Sequence, residues 1–278
     1  MGGDDYFPFN DFSEKMKIKI GIVLLLALLG TIWFFDKNQS QNDFLIFDKK
    51  IKIGDAYASS SINVPIFRQN AMLKTLAGIF LAYYDGDGYV RVALIKEDGK
   101  VLSFNIKNKI PKNLMGDGHC AISMGHTNDN YIHLIYGAHA TKPYYLSFLA
   151  SAENVNWLAN NSPVSDQWEE PITYPQFYSV GERELLFYRA DTDVYVKEYD
   201  QGSRQWKLKY GGPLLTADGA DSVYIDKPVI DGNFIRLSWV YRIASGSDLV
   251  LNDGIYSIYS DDGGQTWRNR TKRFIICR

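Results

Sequence analysis

The chain has 278 residues, 46% of them hydrophobic and 14% aromatic, with a formal net charge of -2. This composition excludes a disordered polymer and leaves room for one large core or two small ones. Mixed charge without a basic surplus gives no electrostatic footprint for nucleic acid, so no nucleic-acid partner is expected. Cys120 and Cys277 are far apart and form neither a zinc-type pair nor a disulfide framework.

The first element is the uncharged run from Ile20 to Phe35, preceded by Lys15, Lys17 and Lys19. About 20 residues cross a bilayer comfortably, so this shorter run fits either a thin transmembrane signal anchor or a signal-peptide core. Starting at Met16 gives a short basic head followed by an apolar body, which makes residues 1–19 a cytoplasmic or mis-called segment. Trp33, Phe34 and Phe35 resemble an interfacial end more than a cleavage region. A buried core helix is the bland alternative. Lysines ahead of the run place the C-terminal part outside the cytoplasm, membrane-anchored through 20–35 or released. Residues 36–43 form a linker, and the folded domain begins near Phe44.

From there the chain is periodic. Leu-x-aromatic recurs as Leu81-Ala82-Tyr83, Leu134-Ile135-Tyr136, Leu186-Phe187-Tyr188 and Leu237-Ser238-Trp239, at intervals of 53, 52 and 51 residues. Each is followed by a second alternating strand, YVRVALI, YYLSFLA, VYVKEYD or IYSIYSD, ending in Asp, Asn or Gly turn residues. Period-two alternation between such turns predicts antiparallel β-structure, and no later stretch has a helical period. Repeats of this length predict an all-β propeller of four-stranded blades.

The fourth repeat closes with Ser260-Asp261-Asp262-Gly263-Gly264-Gln265-Thr266-Trp267, which matches the S-x-D-x-G-x-T-W Asp-box of sialidase-type propellers. In such a hairpin the Asp accepts backbone hydrogen bonds, Gly permits positive φ and Trp packs between blades. The box diagnoses a fold and not an activity. Four blades close poorly, and a basic tail, RNRTKRFIICR, follows Trp267. Residues 44–278 are therefore expected to be a partial propeller that lacks later blades and carries an open sheet edge.

In a propeller the innermost strand of each blade starts at the face where the next strand ends. His119, Tyr174 and Lys227 align as inner-strand starts, and His139, Arg189 and Arg242 fall near the ends of the following strands. These six form the candidate site. His133 lies inside a strand and is expected to point sideways. Bland alternatives exist for each: His119 as a turn residue, Tyr174 as interblade packing, Arg189 paired with Asp191 or Asp193, Lys227 and Arg242 as structural charges. Cys120 beside His119 lacks metal-ligand spacing, and no metal or other cofactor is expected.

Gly116-Asp117-Gly118-His119, Tyr131-Ile132-His133-Leu134 to Gly137-Ala138-His139, Thr173-Tyr174-Pro175, Phe187-Tyr188-Arg189 and the stretch from Arg242 to the Asp-box recur in order. Over roughly residues 60–267 they resemble the BNR-repeat family that includes propeller lyases acting on ulvan and related uronate polymers. The resemblance implies an anionic polysaccharide substrate and β-elimination. It assigns proton transfer to His119, His139 and Tyr174 and carboxylate neutralisation to Arg189, with Lys227 and Arg242 as substrate-binding residues. An Arg fork beside the carboxylate makes the C5 proton removable, and His or Tyr then serves as base or acid.

Two other functions compete. A sialidase-type hydrolase shares the Asp-box but needs an arginine triad, a Tyr nucleophile and acidic partners. The expected Arg-Ile-Pro is absent near the first blade, where Pro65-Ile66-Phe67-Arg68 stands instead. A non-catalytic surface propeller that binds glycan or protein is the third, and a shortened chain favours it or an inactive lyase relative.

Overall fold

Runs of aromatic and β-branched residues separated by Asp- and Gly-rich turns pair with their neighbours, because such side chains fill a pleated surface and the turns need little chain. A computed structural model describes residues 51–53, 57–58, 61–63, 70–151, 168–245 and 250–269. The run 20–35, the linker 36–43 and Cys277 lie outside the described residues. No helix among the described residues is long and apolar enough to cross a membrane. The described residues from Lys52 onward belong to one compact unit.

Four antiparallel meanders follow one another. The first is β1 (Met72–Thr75), β2 (Gly78–Tyr84), β3 (Tyr89–Ile95) and β4 (Val101–Lys109), in that order across a four-stranded sheet. The second is β5 (Ala121–His126), β6 (Tyr131–Thr141) and β7 (Tyr144–Leu149). The third is β8 (Ile172–Val180), β9 (Arg183–Ala190), β10 (Asp193–Asp200) and β11 (Gln205–Leu208). The last consists of β12 (Ser222–Ile225), β13 (Val229–Asp231), β14 (Phe234–Ser245), β15 (Val250–Ser260) and β16 (Arg268–Asn269), with β12 and β13 both paired to β14.

The expected separate four-stranded blades are only partly what forms. β6 outruns β5, and its end pairs with β8 through His139 opposite Thr173 and Thr141 opposite Ile172. This joins the second and third meanders into one seven-stranded sheet.

Alternation along the Leu-x-aromatic strands explains the core. On β6, Leu134 and Tyr136 pack against the first meander, with Phe80, Tyr84 and Val92, while Ile135 faces the third. On β9, Leu186 and Tyr188 face the second meander and Phe187 faces the fourth, where Leu237 and Trp239 meet it. Each strand thus supplies two cores, and each fully buried large side chain contributes roughly 1.5–3 kcal/mol. In the fourth meander the middle residue is Ser238, and Val229, Ile243, Val250 and Ile255 are exposed.

The Asp-box sits where β15 ends and β14 begins. Asp262 accepts from the backbone N–H groups of Gln265 and Thr266 at 2.9 Å each, and from the hydroxyls of Thr266 at 2.6 Å and Ser260 at 2.7 Å. Those bonds, led by the Thr266 hydroxyl, hold its carboxyl well below the ordinary value. Gly263 and Gly264 take φ of 70° and 77°. Trp267 donates from Nε1 to the Tyr210 hydroxyl at 2.7 Å and packs with the core between the third and fourth meanders. Arg183 at the start of β9 donates to the Asp262 carbonyl at 3.2 Å, a second link between those meanders.

Two predictions follow from this end of the sheets. A depressed carboxyl stabilises the native state above its unfolded pKa, near 3.8, and that contribution is lost as pH falls further. Asp262→Ala should therefore lower the melting temperature at neutral pH, with the gap to wild type closing in acid.

Glu184 on β9 is buried, and its Oε2 accepts a 2.8 Å hydrogen bond from the Ser179 hydroxyl. Burial pushes its carboxyl up to about 7, only partly offset by that bond. The native state favours the neutral acid, a stabilisation complete below the unfolded value near 4.5 and lost as pH rises through about 7. Glu184→Gln should match wild type in acid and be more stable by about 3 kcal/mol in denaturant titrations above about pH 8. Equal stability there would mean the carboxyl ionises as easily in the native state as in the unfolded one.

Candidate active site

The opposite end of the sheets, where β5, β8 and β12 begin and β6, β9 and β14 finish, gathers five of the six sequence candidates. A short 3-10 turn, Lys112–Leu114, leads into a loop closed by Asp117 N–H to Leu114 O at 3.0 Å and Cys120 N–H to Asp117 O at 3.1 Å. Asp117 Oδ1 accepts from the backbone N–H of His119 at 2.9 Å and contacts its Nδ1 at 2.7 Å, an Asx turn that aims the imidazole. The other oxygen, Oδ2, meets Nδ1 of His139. The two rings stack with centroids 4.6 Å apart and 22° between planes.

His139 reaches this point because the end of β6 is irregular. Gly137 and Ala140 both have positive φ, 71° and 51°. A Cβ on Gly137 would meet a Tyr144 ring carbon at 2.9 Å. Hydroxyls hold the distortion: Thr141 donates to Gly137 O at 2.7 Å, and Ala140 N–H donates to Thr173 Oγ1 at 2.9 Å.

Thr173 lies opposite His139 on one side and Arg189 on the other, so the sheet register itself aligns these residues. The next residue, Tyr174, sits in a bulge of β8 with φ of 55°, immediately before Pro175. That backbone is strained for a bulky side chain. Its ring lies 5.9 Å from His119 and 6.3 Å from Tyr224, centroid to centroid.

Tyr224 on β12 was not signalled by the sequence motifs, yet it links the two arginines. The Arg189 guanidinium carbon stands 4.6 Å from the Tyr224 ring centroid and 5.3 Å from that of Tyr174, while that of Arg242 stands 4.2 Å from Tyr224. Arg189 makes no ion pair with Asp191 or Asp193. Its Nε and Nη1 and the Nε of Arg242 are shielded from solvent and lack hydrogen-bond partners.

The alignment that offered Lys227 is corrected by the register. The inner strand of the fourth meander starts at Ser222, opposite Arg242, and Lys227 lies on the exposed link between β12 and β13. Its neighbour Asp226 bonds to Ser238 O, four residues along β14 from Arg242, or roughly 13 Å at strand spacing. Tyr224, three residues earlier, is the residue of this segment that stands against Tyr174 and the two arginines.

Partial burial raises the Asp117 carboxyl, but hydrogen bonds from the His119 N–H, the His119 ring and the His139 ring outweigh it, and its pKa lies below the ordinary value. Donor atoms of Asp117, His119 and His139 lie within 4.8 Å of one another. Each Nδ1 is already turned onto a carboxylate oxygen, which satisfies both donors without an ion. Cys120 points into the core, 3.7 Å from the Tyr84 hydroxyl, and burial pushes its thiol up to about 11. His133 is buried among Tyr145, Tyr199 and Trp206, bonded to the Tyr145 hydroxyl at 2.6 Å, and burial drives its pKa down to about 3. It is a core residue.

Antiparallel meanders that share one mouth define a propeller-like all-β protein. The chain belongs to the BNR repeat-containing family, whose profile matches residues 78–275. Among solved structures, the polysaccharide lyase Uly1 superposes with a TM-score of 0.58 at 19% identity, covering 81% of this chain and 58% of that one. A family PL25 ulvan lyase bound to -[GlcA(1-4)Rha3S]- superposes with a TM-score of 0.51 at 16% identity, covering 81% of this chain and 57% of its own. The chain thus spans somewhat more than half the length of these two proteins, and at such identities the likeness is one of fold. No curated protein sequence matches it.

Unpartnered guanidinium nitrogens on Arg189 and Arg242 at one mouth predict anion binding. Arg189→Ala and Arg242→Ala should each weaken binding of an anionic oligosaccharide by about tenfold or more, measured by calorimetry. Affinity of the wild type should fall as salt rises. Unchanged affinity in both variants would exclude these side chains from the binding surface.

Proposed function

We propose that this chain is a carbohydrate-active protein whose mouth acts on a uronate-containing polysaccharide by β-elimination. The observation that carries the proposal is the set of unpartnered guanidinium nitrogens, Arg189 Nε and Nη1 and Arg242 Nε, near His119, His139 and Tyr174. A uronate carboxylate lying on the Arg189 fork would have its charge offset, which lowers the cost of developing negative charge at C5. A histidine Nε2 takes the C5 proton, the C5–H electrons form the C4–C5 double bond, the bond from C4 to the glycosidic oxygen breaks, and that oxygen gains a proton from Tyr174. Support comes from the fold of a lyase bound to a glucuronate-containing oligosaccharide.

Hydrolysis fits less well. Glycosidases work with two carboxyl groups flanking the bond, whereas the carboxylate in contact with the histidines, Asp117, already has an imidazole on each oxygen. The basic-then-apolar sequence up to Phe35 supports delivery of the domain outside the cytoplasm, where such polymers occur.

The test is incubation of the protein with uronate polymers while ultraviolet absorbance of the unsaturated product is followed. Wild type should generate that chromophore, and Tyr174→Phe should slow it by about 100-fold. New reducing ends without the chromophore would mean hydrolysis, and tight binding with neither product would mean a glycan-binding module.

A further inference from the structure

We propose that Asp117 is a positioning residue that holds His119 and His139 as their Nδ1–H tautomers, so that both Nε2 atoms are left as proton acceptors on the open side of the site. The inference rests on the β-elimination reading for its consequence, though not for its geometry.

An ionised carboxylate accepts hydrogen bonds and donates none. Asp117 directs Oδ1 to Nδ1 of His119 and Oδ2 to Nδ1 of His139, so each contact needs a hydrogen on the imidazole nitrogen. A neutral imidazole carries one such hydrogen, and placing it on Nδ1 leaves a lone pair on Nε2. Histidine in water favours the opposite tautomer, so the protein must impose this one. The His119 backbone N–H, also bonded to Oδ1, fixes the carboxylate in turn. Both rings remain reachable: the side chains of His119 and His139 are 57% and 32% exposed, against 21% for Asp117.

The tautomers divide the labour. A neutral pair presents two acceptors and no donor on its Nε2 side. Either ring can take the C5 proton, and the proton for the departing oxygen falls to the Tyr174 hydroxyl, whose ring flanks His119. Asp117 touches neither substrate nor reacting atoms in this scheme.

The decisive experiment is long-range proton–nitrogen NMR on protein labelled with nitrogen-15 in its four histidines, with His119 and His139 assigned through single alanine variants. Both rings should show hydrogen on Nδ1 and a bare Nε2. In Asp117→Asn, whose amide offers one acceptor oxygen, at least one ring should turn to the Nε2–H form. On a cleaved substrate, that variant should lose about 100-fold in kcat with KM nearly unchanged, and Asp117→Glu should recover part of it. Hydrogen on Nε2 of either ring in the wild type would overturn the proposal, as would an Asn variant that keeps both tautomers and its kcat. The wild-type spectrum decides the matter even if the Asn variant fails to fold. If no uronate polymer is cleaved, the functional reading fails while the spectrum still judges Asp117.

Discussion

Both faces of β6 and β9 are buried, and the mouth depends on that constraint. A one-residue slip of β6 would send Leu134 and Tyr136 toward the third meander and Ile135 toward the first, disturbing two cores at once. Register is therefore fixed along the doubly buried stretch that leads into the irregular end at Gly137–Thr141. Its end then has no freedom to move His139 away from Thr173, nor β9 to move Arg189 from the same residue. Burial in the middle of the sheet thereby sets angstrom-scale positions at its edge.

The repeat was visible in the sequence because the Leu and aromatic positions recur at every copy, with both faces apolar where two cores meet on β6 and β9. Strands β3, β7, β10 and β15 coincide or overlap with the second alternating runs read from it. The Asp-box was legible because a tight hairpin admits few residue types. The site was only partly so. His119, His139, Tyr174, Arg189, Arg242 and Lys227 align by their place in the repeat, and repeat spacing alone could not show that the inner strand of the fourth meander starts at Ser222. Bulges do not announce themselves in sequence: β8 has one at Tyr174, and the inner strand of the fourth meander is split in two. Asp117 carried a weak signal, the Asp-x-His spacing of an Asx turn, but a turn Asp is ordinary until its second oxygen is seen to meet a distant histidine.

Charge explains why the mouth points to an anionic ligand. Two guanidinium groups flank one tyrosine ring with no carboxylate paired to either among the described residues, and cation–π contact compensates only part of their repulsion. In the proposed function an incoming anion supplies acceptors for the unpartnered nitrogens. Asp117 is too engaged with the histidines to do so. Under the proposed β-elimination, the imidazoles beside this cationic pair would take a proton from a carbon whose carboxylate has been neutralised.

The two ends of the sheets solve different problems. At the Asp-box end, positive φ is given to Gly263 and Gly264, and both carboxylate oxygens of Asp262 are used inside its own hairpin. That is stabilisation without residual function. At the mouth, positive φ is imposed on Ala140 and Tyr174, each costing roughly 1–3 kcal/mol in ordinary sites. Polar groups there also remain unpaired, a cost the shared cores must outweigh. Relaxing Tyr174 into an extended strand would remove the bulge that now carries its ring to His119 and Arg189. Stability would rise and the constellation would be lost, so the strain at this residue is better understood as the local cost of holding an aromatic hydroxyl where two histidines and an arginine converge.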